Sequence, residues 1–237
     1  MNLHIGTSGW SYPHWRGLFY PEDLPAKDWF GYYGRQFCTV EINMTFYRYP
    51  NPETLKGWME KAPPGFTFGF KANRRITHIK RIKDVGPELR YFYILADNLK
   101  KKLGCILFQL PPSIRLDLPL LRDFIETLSP DYKNVIEFRH VSWFDEKTYD
   151  LLRERGVIFC NASSAKVPHT AIKTADTVYF RFHGLTGGYM YRYTDEELAE
   201  WADRIRKTEA AEAFAYFNND YEARAVENAR TLARLLE

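Results

Sequence analysis

Thr177-Val-Tyr-Phe-Arg-Phe-His183 alternates strictly, and its two faces differ in kind. Val178, Phe180 and Phe182 form one apolar face, while Tyr179, Arg181 and His183 form the other. β-Branched and aromatic residues at period two make a strand. Seven further runs of this type lie at 3–8, 38–45, 66–72, 105–110, 134–139, 157–161 and 213–218. Helical signals separate most of them. Asn51-Pro52 reads as an N-cap with proline at the first helical position, followed by Leu55, Trp58 and Met59 on one face. Thr194-Asp-Glu-Glu197 fits a capping box leading into Leu198, Trp201 and Ile205. Residues 145–155 end at Gly156, a C-cap residue. Strands alternating with helices become parallel strands joined by crossovers, and eight such units close. The expected fold is α/β, a (β/α)₈ TIM barrel spanning 1–237 as a single domain. Irregularity is expected around the sixth βα unit, because 162–176 holds Pro168 and no amphipathic period. Residues 184–193, rich in glycine and tyrosine, read as a mobile loop over the barrel mouth. A doubly wound open sheet is the alternative, but Gly6-Thr-Ser-Gly9 lacks the spacing of a dinucleotide fingerprint.

A chain of 237 residues with 45% hydrophobic content is long enough to bury such a core. The net charge of +3 excludes a polybasic binder and leaves room for a local basic patch. Cys38, Cys105 and Cys160 are dispersed in apolar runs and are expected as buried free thiols of a reducing compartment. Residue 1 leads straight into a strand without a leader, and no apolar run approaches the ~18 residues of a membrane span. A cytoplasmic protein with no membrane partner is expected; oligomeric state is not written in the sequence.

The inward faces carry the functional information, because side chains alternate across a strand. Strand two directs Val40, Ile42, Met44 and Phe46 to the helices, and Thr39, Glu41, Asn43 and Thr45 inward. Strand five offers Glu137 and Arg139, strand three Thr67, Lys71 and Asn73, strand four Gln109, and strand one His4 and Ser8. The last strand runs into Asn218-Asn219-Asp220. A purely structural barrel would fill this interior with Val, Ile and Leu. Five charged residues (Glu41, Lys71, Glu137, Arg139 and Arg181) at inward strand ends instead point to a compensated ion network or a ligand site.

The same residues carry a family resemblance. Gly6-Thr-Ser-Gly-Trp10-Ser-Tyr, Thr39-Val-Glu41-Ile-Asn43 with Thr45-Phe-Tyr47, and Gln109-Leu-Pro-Pro112 resemble the domain-of-unknown-function 72 family, also called YecE-like. So do Glu137-Phe-Arg139-His140 with Ser142-Trp143, Arg181-Phe-His183-Gly184 and Tyr216-Phe-Asn-Asn-Asp220. The resemblance implies a barrel similar to those of endonuclease IV and the xylose-isomerase-like enzymes, and supplies no reaction.

Three chemistries fit the inward residues. The favoured one is acid–base or hydrolytic catalysis on an anionic, phosphorylated or nucleic-acid substrate. Lys71, Arg139 and Arg181 would hold the anion, Glu41 or Glu137 would act as base, and His183 would shuttle protons near neutral pH. Asp220 joins the catalytic set, with Ser8, Trp10, Asn43, Tyr47, Asn73, Gln109, His140, Trp143 and Asn218 as substrate-binding candidates. No cofactor is expected here. The second is a metal-dependent phosphodiesterase like endonuclease IV, with a divalent metal on Glu41, Glu137, His183 and Asp220. The third is non-catalytic nucleic-acid binding, with Trp10, Trp15, Tyr47 and Trp143 stacking on bases beside the basic stretch Arg74, Arg75, Lys80, Arg81 and Lys83. Packing under loops competes with stacking for the aromatics, and a solvated loop competes for the basic stretch. His14, His78 and His169 sit in loops without an assigned role. Glu137→Gln or Arg181→Ala is expected to impair the site and spare the fold.

Overall fold

The computed structural model describes the backbone of residues 1–237 and every side chain except that of Lys100. Eight parallel strands close in sequence order into a barrel. They are β1 (Asn2–Ser8), β2 (Thr39–Ile42), β3 (Thr67–Lys71), β4 (Leu103–Gln109), β5 (Asn134–Glu137), β6 (Ile158–Ser164), β7 (Thr177–Gly184) and β8 (Glu212–Phe217). Seven α-helices surround them: α1 (Trp29–Gly34), α2 (Pro52–Lys61), α3 (Gly86–Ala96), α4 (Leu118–Thr127), α5 (Glu146–Glu154), α6 (Asp195–Lys207) and α7 (Arg224–Leu236). None is long and apolar enough to cross a membrane.

The helix ends follow local chemistry. Asn51 accepts the amide of Thr54 ahead of Pro52, and Thr194 and Glu197 form the reciprocal capping box of α6. Gly156, at φ +62°, ends the turn after α5. Between β6 and β7 no α-helix forms. Asn161 replaces one: its carboxamide accepts from the Ile172 amide and the Thr170 hydroxyl and donates to the Ile172 carbonyl. Thr174 accepts from the Phe159 amide and donates to the Val157 carbonyl. Side chains thus satisfy backbone groups both of this irregular connection and of the strand it leaves.

Strand alternation sorts the core into two compartments. Val178, Phe180 and Phe182 pack outward with Val40, Ile42, Ile136, Phe138, Phe217 and the helices. Cys105, Leu107, Val135, Ile158, Cys160, Tyr179, Phe214 and Tyr216 fill the barrel interior. At its amino end the His4 ring stacks on Phe214 with centroids 4.3 Å apart, and Nε2 lies 3.1 Å from Glu212. Two tyrosines fit higher up because β3 offers Gly69. A Cβ there would stand 3.1 Å from the Tyr216 hydroxyl oxygen and 3.3 Å from that of Tyr179. Cys105 and Cys160 are buried free thiols as expected, but Cys38 is exposed. It immediately precedes β2, where its carbonyl accepts from the Thr67 amide.

Candidate anion site at the carboxyl end of the barrel

β7 places Arg181 one inward step above Tyr179, and β2 and β5 place Glu41 and Glu137 on either side of it. Arg181 donates Nη1 to Glu137 Oε2 at 2.7 Å and Nη2 to Glu41 Oε2 at 2.6 Å. All three side chains are at most 2% exposed. Glu41 also accepts from the Ser8 hydroxyl at 2.9 Å and the Tyr179 hydroxyl at 2.8 Å. Glu137 Oε1 faces His183 Nε2 at 3.0 Å and Arg139 Nε at 2.6 Å. That last contact is ionic and too misaligned for a hydrogen bond. Every oxygen of both carboxylates is therefore engaged.

Burial alone would raise both carboxyls. The Arg181 guanidinium, helped by Tyr179 and Lys71, outweighs it at Glu41 and holds the group below its usual range. Burial is likewise overcome at Glu137 by Arg139, Arg181 and His183, which hold it well below that range. His183 moves the other way: burial, with Arg139 and Arg181 beside it, lowers its pKa to about 4. It is neutral near pH 7. Its Nε2 lies 3.0 Å from the Glu137 carboxylate, an acceptor, and 2.9 Å from the Arg139 guanidinium, a donor, so a neutral ring can serve only one of the two at a time; Asn218 Nδ2 lies 3.4 Å from Nδ1. A pKa of about 4 lies well below the neutral range in which the sequence-based expectation has His183 shuttling protons.

Two cations line the outer edge of this network. Lys71 Nζ donates to Gln109 Oε1 at 2.6 Å and stands 4.3 Å over the Phe46 ring. Burial, then the positive charge of Arg181, lowers its pKa to about 8, with Glu137 and Glu41 opposing. The Arg139 side chain is 20% exposed, with Nη2 2.9 Å from His183 Nε2. His78 joins them from the turn after β3. Its ring packs edge-on against Phe46 at 4.8 Å, and burial together with Lys71, Arg139 and Arg74 lowers its pKa.

Other sequence candidates fall elsewhere. Asp220 pairs with His14 at 3.3 Å, and burial raises its pKa. Asn73 is spent on its turn, donating to the Thr45 carbonyl and accepting from the Arg75 amide. His140 accepts the Ser142 amide at the start of a 3₁₀ turn. Trp143 and Trp15 are fully buried and donate to the carbonyls of Ile114 and Asp220. Trp10 is half-buried, and Tyr47 is exposed. The chain leaves strand geometry after Ile42 and turns into a 3₁₀ helix at Met44–Phe46. Thr45 consequently turns away to donate to the Lys71 carbonyl, and Phe46 swings over Lys71 instead of facing the helices. Sequence reasoning passed over three participants: Tyr179, Phe46 and His78. Tyr179 was recoverable from the inward face it shares with Arg181.

No three His, Cys, Asp or Glu side chains gather in metal-ligating geometry among the described residues. Arg181 occupies the place between Glu41 and Glu137, and Asp220 is turned to His14. The proposed donor set does not fit a divalent metal.

A closed parallel eight-stranded barrel with a buried ion network under a cationic rim at its carboxyl end defines the class of molecule. Residues 4–237 match the family described as protein of unknown function DUF72, and the chain belongs to that family. It is 25% identical to the UPF0759 protein YunF of Bacillus subtilis (strain 168) over 99% of this chain and 95% of that one. It is 29% identical to the UPF0759 protein YecE of Escherichia coli (strain K12) over 65% of this chain and 57% of that one. A crystal structure of a DUF72 family protein from Thermotoga maritima MSB8 superposes with a TM-score of 0.91 at 31% identity, covering 100% of this chain and 99% of the other. A glycoside hydrolase family 5 enzyme from Prevotella bryantii B14 shares the fold alone, at 9% identity and a TM-score of 0.55.

Proposed function

We propose that this protein binds a small phosphate- or carboxylate-bearing molecule at the carboxyl end of its barrel, and performs acid–base chemistry on it. One observation carries the proposal: Arg181 and Arg139 already pair with both carboxylates, and a third cation, Lys71, stands beside them bonded only to neutral Gln109. The surplus positive charge sits at Lys71 and Arg139, the two cations nearest solvent. A half-buried guanidinium and ammonium, held in place by packing, are preorganised to bind an oxyanion. The buried carboxylates are the framework of this site. Lys71, close to half-protonated at pH 8, is the group able to exchange a proton near neutral pH.

A metal-dependent phosphodiesterase is less well supported, because Arg181 stands where the ion would bridge the carboxylates. Nucleic-acid stacking loses Trp15 and Trp143 to the core. The basic stretch is partly neutralised as well, since Arg75 and Lys80 both pair with Glu88.

Calorimetric titration of inorganic phosphate and citrate into the protein, Lys71→Met and Arg139→Met tests the proposal. Binding of at least one anion, weakened about ten-fold or more in each variant, is expected. No binding of either anion, or equal affinity in all three proteins, overturns it.

A further inference from the structure

Beside the ion network, between the carboxyl ends of β1 and β2 and the helix α2, lies a cavity of about 540 Å³. That volume is within the range of small-molecule sites, roughly 300–1,000 Å³. Its walls include Ser8, Trp10, Phe30, Asn43, Gly57 and Trp58. Trp10 meets Trp58 edge-on with centroids 5.3 Å apart and lies tilted 5.0 Å from Phe30. Both indoles are only half-buried, so each keeps surface available to an occupant.

Two features of the wall bear on what the cavity could hold. The Asn43 Oδ1 is buried and accepts no hydrogen bond among the described residues. An unmatched buried amide oxygen is costly, and native proteins rarely leave one. Gly57 lies inside α2, where glycine is among the least favourable residues, yet a Cβ there would meet nothing within 4 Å. A larger side chain at this position would project into the open space at the cavity wall. The cavity also touches the charged site directly, since Ser8 lines it and donates to Glu41.

We infer that this cavity receives the flat, N–H-bearing aromatic ring of a small-molecule monophosphate whose anionic end lies on Lys71 and Arg139, an inference that rests on the anion site proposed above. The indoles supply stacking and edge contacts to the ring. Asn43 lies in the wall with Ser11, Glu53, Thr54 and Lys61, and a turn of its carboxamide would bring the unpaired Oδ1 to an amino or ring N–H group of the occupant.

Calorimetry with the four common ribonucleoside 5′-monophosphates, their free nucleosides, ribose 5-phosphate, inorganic phosphate and citrate tests this. At least one monophosphate is expected to bind about ten-fold or more tightly than ribose 5-phosphate and phosphate. Gly57→Leu should abolish that gain and leave phosphate affinity unchanged, with a helix at least as stable. Gly57→Ala, a milder filling, should reduce the gain partially and keeps the test valid if the leucine variant folds poorly. Monophosphates binding no better than phosphate would overturn the ring site and leave the anion site standing. Nucleosides binding in a Gly57→Leu-sensitive manner while neither phosphate nor citrate binds would support the ring site and overturn the anion site. No binding by any probe overturns both. Tighter binding of a single-stranded oligonucleotide than of any monophosphate overturns the small-molecule assignment.

Discussion

Arg181 and Glu41 meet at 2.6 Å with the guanidinium 2% exposed and the carboxylate fully buried. Their interaction belongs to the framework of the barrel. Removing one partner of a buried pair strands the other charge in a low-dielectric interior, at about 3–5 kcal/mol. Arg181→Ala strands two carboxylates at once, Glu41 and Glu137. We expect urea denaturation of this variant to show a stability loss of at least that order, and the sequence-based expectation of a spared fold is revised accordingly. Unfolding curves that overlay those of the wild type would contradict the structural role.

Lys71 sets the pH limit of anion binding. Its pKa of about 8 means that the ammonium is lost as pH rises through that value. Between pH 7 and pH 9 phosphate affinity should fall in the wild type relative to Lys71→Met, in which only the second ionisation of phosphate itself acts. The same depressed pKa makes the charged lysine a cost to folding below pH 8, relieved as pH climbs from about 8 toward 10.5. A phosphate titration series across this range checks the sign.

His183 is an acid-sensitive element. Its pKa is 6.5 in the unfolded chain and about 4 in the folded one. Between those values the unfolded state holds more protons, so stability rises with pH and declines on acidification from 6.5 to 4. The full shift corresponds to on the order of 3 kcal/mol. Glu41 and Glu137, both held below 4.5, add further losses from about pH 4.5 downward as each is protonated out of its ion pairs. His183→Gln should flatten the pH 6.5–4 portion of the stability profile and leave the steeper acid limb.

Gly69→Ala tests the packing of the two interior tyrosines. The new methyl would stand 3.1 Å from the Tyr216 hydroxyl oxygen and 3.2 Å from its ring carbon Cζ. Overpacking a rigid interior costs about 1–3 kcal/mol. Thermal denaturation should show that loss; an unchanged midpoint would mean that the tyrosines move freely.

Strand alternation made most of this legible in the sequence. The strand 177–183 assigned Arg181 and His183 to the interior, and the same rule found Glu41, Lys71, Gln109 and Glu137. It failed where the chain stopped being a strand. After Ile42 the 3₁₀ turn redirected Thr45 and Phe46, and after Lys71 a single π-turn at Arg75–Ile79 carried His78 toward Lys71. Neither turn follows a two-residue period. Which charge pairs with which was also illegible, since registry across the closed barrel decides that Arg181 lies between Glu41 and Glu137. The cavity was missed for a related reason: its wall combines β-strand ends with Gly57 and Trp58 of α2, residues related only by packing.

The anion site is tested most directly by soaking crystals in tungstate, a heavy oxyanion, and locating it by anomalous scattering. An anomalous peak with oxygens within about 3 Å of Lys71 Nζ and the Arg139 guanidinium is predicted. Well-occupied tungstate elsewhere, with none between Lys71 and Arg139, would contradict it.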